Sequence, residues 1–497
     1  MAEQKHRSRK RIVIAAALLA VIGGAAAVIG FSLKSKQDAQ NAPESKLGLH
    51  LTEQQDIPSR AEFAKSEKGF YFIKSERDYM MGTSTVQQET QDILPVFCDP
   101  ETGEWAVLCA RPNCMHDGST FCTATTKVYG EIFPPFRLTY ADGYLYAVRT
   151  KRSKWIPNGY GGEMPDEKEN HVVLLRYEPD GSGITELHDF GTGTGEFKPV
   201  LHRGYLWFVV PKYSYGEPVK NPITGEEMQF TNGGYEIWGY ELKTGDLVRI
   251  YDSEPKPDQN HVDTPPKQLC GIGDYICFNT EEGDWSAPFG TNRINLLTGE
   301  MTQAPKCSFE YGFSEGYALY FETKHQDHGI VNTWQLVNLE TGESKNIPET
   351  AKPTQYLGTP FLSGDYIYWC QVDENGKYSV RIYNMNAEIV TELDMKDCGL
   401  PEYPPEWDGI LIIDGGITEI SGGMAYLKLD AMFNDTENGI TWELHHAVYS
   451  CPVNDLLDGK PVWQKVYEEM DGAEAEKQYR ALLADKQSTG GNRNDAE

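Results

Sequence analysis

Residues 307–347 read CSFEYGFSEGYALYFETKHQDHGIVNTWQLVNLETGESKNI. Four short strand patterns fit in this stretch: Cys307 to Phe313, Tyr317 to Glu322, Trp334 to Leu339 and Ser344 to Ile347. Aromatic and β-branched residues favour strands. Gly316 and Thr341-Gly342-Glu343 punctuate them, because glycine takes the positive φ that tight hairpins demand. Four antiparallel strands in about 45 residues is the size of one propeller blade.

The unit recurs on both sides. Its first mark is a glycine followed by an aromatic-rich strand, at Gly69-Phe70, Gly143-Tyr144, Gly204-Tyr205, Gly273-Asp274-Tyr275, Gly316-Tyr317, Gly364-Asp365-Tyr366 and, more loosely, Gly423-Met424. Its second mark is a polar turn before the last strand: Thr102-Gly103-Glu104, Asp180-Gly181, Thr244-Gly245-Asp246, Thr298-Gly299-Glu300, Thr341-Gly342-Glu343, Asn386 and Asp458-Gly459. Such a sheet buries its faces only against its neighbours, so the copies must stack in a ring. The expectation is an all-β, seven-bladed β-propeller over residues 61–470, or eight-bladed if a degenerate copy is hidden. Two stacked sandwiches fit less well, because the repeat is continuous. A short helix from Gly472 to Asp485 and a disordered end are expected in 471–497.

Before the repeats, Lys5, Arg7, Arg9, Lys10 and Arg11 form a basic cluster within 1–11. Ile12 to Phe31 then carries no charge and no proline. A helix of that length rises about 30 Å, the thickness of a bilayer's hydrocarbon core. Residues 12–33 are therefore expected as one N-terminal transmembrane signal anchor, with the basic flank cytoplasmic and the propeller extracytoplasmic. A cleaved signal peptide is the alternative, although its apolar region is usually shorter. Residues 34–60 read as a polar stalk without apolar periodicity.

The chain holds 45 basic and 74 acidic residues. Beyond residue 36 there are 38 basic against 73 acidic, a net charge of −35. That excludes nucleic acid as a partner, since its phosphates need a cationic surface.

Calling the strands of a blade A to D outward from the channel, the B–C loops and the D-to-A connections share one face. Insertions fall in B–C loops at Lys151 to His171, Pro211 to Gly234, Glu281 to Thr291 and Ala431 to Gly439. Insertions gathered on one face of a repeat fold commonly mark the binding face. They carry Trp155, Tyr160, Tyr213, Tyr215 and Trp285, candidates for stacking on sugar rings or anchoring a peptide. The same aromatics could instead be small loop cores. Arg149 and Arg152, in a local basic run with Lys151 and Lys154, could meet an anionic glycan, wall polymer or head group, or could simply end a solvated hairpin.

Four of the ten cysteines cluster: Cys98, Cys109, Cys114 and Cys122, with His116 among them. Outside the cell such spacing suggests disulfides. Three thiols and an imidazole could equally close a tetrahedral structural zinc site, and free thiols are the third option. Cys277 and Cys370 lie in apolar runs and read as small core residues.

The leader, the Gly-Tyr-Leu-Tyr strands and the stretch Leu108-Cys109 to Cys114-Met115-His116-Asp117, then Cys122-Thr123-Ala124, resemble a group of uncharacterised surface propellers of Gram-positive bacteria. That group is often labelled as resembling the β-propeller of low-density-lipoprotein-receptor-related proteins. The resemblance implies the propeller fold and extracytoplasmic display, and no catalytic residues.

No nucleophile elbow, zinc-protease motif or phosphate-cradling loop occurs. Asp435 to Trp442 is only a degenerate aspartate box, and His325, Asp327 and His328 read as a polar loop between strands. The expected function is a membrane-anchored binding or scaffolding module for a wall polymer, glycan or protein. The alternatives are a glycan-active hydrolase or lyase on the same fold, and a sensor or envelope-assembly subunit.

Overall fold

In a computed structural model of the chain, the described residues lie between 45 and 468. The longer internal stretches outside the description are 54–63, 76–92, 115–137, 158–162, 221–226, 254–265, 281–289, 349–359, 373–377 and 395–409, with shorter ones between them. The expected anchor at 12–33 and the expected tail at 471–497 therefore fall outside the described residues. No described helix is long and apolar enough to cross a membrane.

The architecture is all-β and propeller-like, built from four-stranded antiparallel meanders. The glycine-aromatic strands are the second strands of these meanders. They are Phe70–Ser75, Tyr144–Arg152, Tyr205–Tyr215, Tyr275–Thr280, Tyr317–Gln326, Tyr366–Val372 and Met424–Asp435. Two meanders join through a single parallel bridge between first strands, Gly312 to Leu362. The last sheet carries an additional strand, Ile410–Ile412, along its long hairpin.

The turns follow from the sequence. In the quoted repeat, Gly316 has φ +84° in the A–B turn and Gly342 φ +76° in the C–D turn. At the C–D turn, Asn338 Oδ1 accepts from the Glu340 and Thr341 amides, and Thr341 Oγ1 accepts from the Glu343 amide. The same scheme repeats at Asn295 and Thr298. The B–C hairpin of this repeat is longer than its sequence pattern suggested. Tyr317–Gln326 pairs with Gly329–Asn338 almost to the tip, so His325 sits on a strand opposite Ile330.

Core packing lies between sheets, as alternation along strands requires. Leu145, Ala147 and Val173 of the second meander meet Tyr71 and Leu108 of the first. Phe208 and Val210 of the third meet Val148, Val172 and Leu174 of the second. Trp207 and Val209 face Ile276, Phe278 and Ile294 of the fourth. The series continues through the fifth, sixth and last meanders. It returns to its start where Tyr426, Val448 and Val466 pack on Phe70, Val96 and Cys98. The Phe70 and Tyr426 rings meet edge to face at 4.7 Å. The five-residue helix Val453–Leu457 buries Leu456 between the last two meanders.

Ser45 to Glu53, which sequence placed in the stalk, is docked on the third and fourth meanders. Leu47, Leu49 and Leu51 pack into their shared core. Ser45 Oγ donates to Leu296 O at 2.5 Å and Lys46 N to Leu297 O at 2.7 Å. His50 N donates to Tyr205 Oη at 2.9 Å, and Thr52 N to Arg203 O at 3.1 Å. The alternation Leu47-x-Leu49-x-Leu51 is the period-two signal that the reading of 34–60 as aperiodic passed over. All these contacts lie at A–B and C–D turns.

Candidate binding face

Among the described residues, the insertions of the second, third and last meanders continue their hairpins as ribbons. In the third meander, Tyr205–Tyr215 and Thr231–Glu241 stay in register out to Tyr215 opposite Thr231, and Val219–Lys220 pairs with Glu227–Met228 beyond. In the second, the main ladder ends at Arg152 opposite Asn170. Trp155–Pro157 then pairs with Glu163–Pro165. In the last, Met424–Asp435 and Ile440–Pro452 form the longest hairpin.

The hairpin bases of the second and third meanders are neighbours, Val148 and Val172 packing on Phe208 and Val210. The D-to-A connection between them runs along their bases: Phe197 N donates to Val148 O, and Gly195 N donates to Thr150 Oγ1 at 2.9 Å. Gly193 lies so close to the Pro211 carbonyl that a Cβ there would sit 2.5 Å from it. B–C hairpin bases and a D-to-A connection thus share a face, opposite the turns that hold residues 45–53.

Polar side chains are paired at these bases. Lys151 Nζ lies 2.8 Å from Glu186 Oε2, and His171 Nδ1 lies 2.9 Å from Asp189 Oδ1. At the third meander Glu236 gathers three donors: Lys212 Nζ at 2.8 Å, Arg249 Nη1 at 2.5 Å and Trp238 Nε1 at 2.7 Å. Asp252 takes Lys212 at 2.6 Å and Arg249 at 2.8 Å. Burial alone would raise the Glu236 pKa, but the hydrogen bonds from Lys212, Trp238 and Arg249 outweigh it and hold the carboxyl below its ordinary value of 4.5. Such a carboxylate adds stability above its unfolded pKa and loses that stability as pH falls through its folded pKa. Glu236→Gln is therefore expected to cost about 1 kcal/mol at neutral pH, because its exposed partners are screened, and almost nothing at about pH 2. Urea midpoints at the two pH values check this; an equal deficit at both would show that the charge is not what matters. Sequence reasoning missed this group, because Glu236, Trp238, Arg249 and Asp252 meet only through a strand register.

The sequence candidates divide. Trp155 stands on the second meander's ribbon, opposite Pro165, and Tyr213 and Tyr215 on the third's. Arg152 ends the main ladder. Tyr160 and Trp285 lie outside the described residues. Arg149 does not belong to an exposed basic run: it is 1% exposed, inside strand Tyr144–Arg152. With Lys151 held by Glu186, two cations of that run are turned inward or paired.

The cysteines separate too. Cys98 is buried at the contact between first and last meanders, where Sγ donates to Val466 O at 3.2 Å. Burial first, then the Asp99 charge, pushes its thiol up to about 11. Cys109 and Cys114 are half-buried beside Val107. Ala110 N donates to Gly181 O, so this stretch starts at the second meander's C–D turn rather than on the ribbon face. His116 and Cys122 lie outside the described residues. Among the described residues no three His, Cys, Asp or Glu side chains could hold a metal ion.

No family profile matches the chain, and no curated protein matches its sequence. Several solved structures align with parts of it at low identity and low TM-score. The β-propeller domain of the Trilobed protease from Pyrococcus furiosus is 9% identical at a TM-score of 0.38, over 85% of this chain and 99% of that one. An oligogalacturonate lyase in complex with manganese is 11% identical at 0.33, over 79% and 97%. A prolyl endopeptidase is 11% identical at 0.38, over 90% of this chain and 55% of that one. The propeller-like class of this protein rests on its own sheet order and on the packing that returns from the last meander to the first.

Proposed function

We propose that this chain is an extracytoplasmic, membrane-anchored propeller of seven blades, of the kind displayed on Gram-positive surfaces, and that its ribbon-bearing face binds or scaffolds an envelope polymer, glycan or protein. The observation that carries this reading is the extension of B–C hairpins on neighbouring blades into ribbons on one face. Hairpins extended on neighbouring blades would supply a cleft wall that the short turns opposite do not offer. The docking of residues 45–53 on the short-turn face supports the same orientation, since it leads the chain toward the proposed anchor on the side away from the ribbons.

Two experiments test it. Protease added to intact cells should degrade the chain beyond residue 40 while the N-terminus stays protected; a chain found in the cytosol would end the reading. Separately, Trp155→Ala, Tyr213→Ala and Trp285→Ala in the full chain should each weaken binding to isolated cell-wall sacculi about tenfold, with thermal stability nearly unchanged. Variants that unfold instead would make these aromatics loop cores, and unchanged binding would move the binding surface elsewhere.

A further inference from the structure

Three buried cysteines meet where the fourth meander packs on the fifth. Cys270, Cys277 and Cys307 share one cluster with Phe313, Ala318, Val337 and Leu339. Cys270 lies on Leu269–Ile272 and Cys277 on Tyr275–Thr280, the two strands of one tight hairpin. Their register is Leu269 to Phe278, Cys270 to Cys277, Gly271 to Ile276 and Ile272 to Tyr275. The two cysteines are therefore directly opposed, and opposed residues of an antiparallel ladder point to the same face. Such pairs have Cα atoms about 4.5–5.5 Å apart, within the range a disulfide spans. Their Cβ atoms, about 4.5–5.5 Å apart in an ordinary pair, need approach only slightly to reach bonding distance.

We propose that Cys270 and Cys277 are an oxidisable pair that closes a disulfide across this hairpin. Cys307 is the competing partner for Cys277: it stands just before the fifth meander's first strand, its N donates to Thr291 Oγ1 of the fourth meander at 3.3 Å, and its sulfur lies 3.9 Å from that same oxygen. Cys270 and Cys277 are held opposite each other by the ladder, whereas the strand partners of Cys277 are Cys270 and Arg293 and no described pairing sets Cys307 opposite it. A shared metal ion is not the alternative among the described residues, since no three ligating side chains there could hold one.

The oxidant is a disulfide, either a small molecule or an oxidised dithiol protein. One cysteine thiolate attacks it, forming a mixed disulfide and expelling one thiol. The second cysteine attacks the mixed disulfide, forming the Cys270–Cys277 bond and expelling the other thiol. Two electrons and two protons pass from the protein pair to the oxidant. Burial raises the Cys277 thiol to about 12, so exchange waits on local opening of the hairpin. The closed ring would contain Asp274, which pairs with Arg203. Arg203 in turn donates through Nε to Thr52 O of the docked segment, so oxidation would stiffen the turn that helps hold it.

The test needs neither the anchor nor the ligand. Reduced full-length chain is incubated with oxidised glutathione in urea below its unfolding midpoint, and remaining thiols are alkylated after denaturation. A protease cutting before Asp274 separates the two cysteines unless they are bonded. The expected result is a linked Cys270–Cys277 peptide that a thiol reductant dissolves, with a higher urea midpoint than the reduced chain. Cys307→Ser should keep the link, and Cys277→Ser should lose both link and shift. Full alkylation of Cys270 and Cys277, or a peptide joining Cys277 to Cys307, overturns the proposal, and both are read on the unsubstituted chain.

Discussion

Gly312→Val is expected to destabilise the protein by about 4 kcal/mol, the sum of backbone strain and an overlap that cannot relax cheaply. Gly312 has φ +88°, a region that a β-branched residue scarcely enters. A Cβ there would also overlap the backbone of Leu362, its partner in the bridge between the first strands of the fifth and sixth meanders. The substitution thus attacks a positive-φ irregularity within strand Ser308–Ser314 and an inter-sheet contact together. Gly316→Ala separates the two effects. Gly316 has φ +84°, yet a Cβ there meets nothing within 4 Å. It should cost only the strain, about 1 kcal/mol. Urea midpoints of both variants check the pair, and equal losses would show that the Leu362 contact contributes nothing.

Trp207→Ala is expected to cost about 3–5 kcal/mol, the range for deleting a large buried aromatic. Trp207 is fully buried and lies over Gly239, where any Cβ would come within 2.6 Å of the indole. Its Nε1 donates to His202 O at 3.1 Å, and its ring stacks on Tyr205 at 5.2 Å between centroids. The loss should appear as a lower urea midpoint with an unchanged slope. A loss below about 1 kcal/mol would mean that the third and fourth meanders do not depend on this residue for their contact.

The repeat was legible because its signals are local. Gly316-Tyr317 and Thr341-Gly342-Glu343 specify turns through backbone chemistry within four residues of themselves. The insertions were located but their form was not. Nothing in Lys151 to His171 announces that Trp155 will pair opposite Pro165, because that pairing depends on register. Arg149 illustrates the opposite difficulty. It reads as one of a basic run, yet it occupies an inward position of a strand whose neighbours Leu145 and Ala147 are core. Cys98 was grouped with Cys109 and Cys114 by proximity in sequence, and the fold gives it to the contact with Val466 instead. For residues 45–53, three leucines at period two were outweighed by the polar character of the longer segment.

The contact between the first and last meanders has a topological consequence. Among the described residues, every strand of the first sheet comes from 64–107 and every strand of the last from 410–468. Among these residues no strand is exchanged between chain ends, and the two sheets meet through side chains such as Phe70 and Tyr426. The described sheets thus form a linear array whose first and last members touch. Removing or duplicating a repeat away from the Gly312–Leu362 bridge would cut no hydrogen-bonded ladder; it would change the angle through which each interface must turn. Gene-level gain or loss of a blade is accordingly a matter of curvature, and the mated faces at Phe70 and Tyr426 are where a changed circumference would first fail to meet.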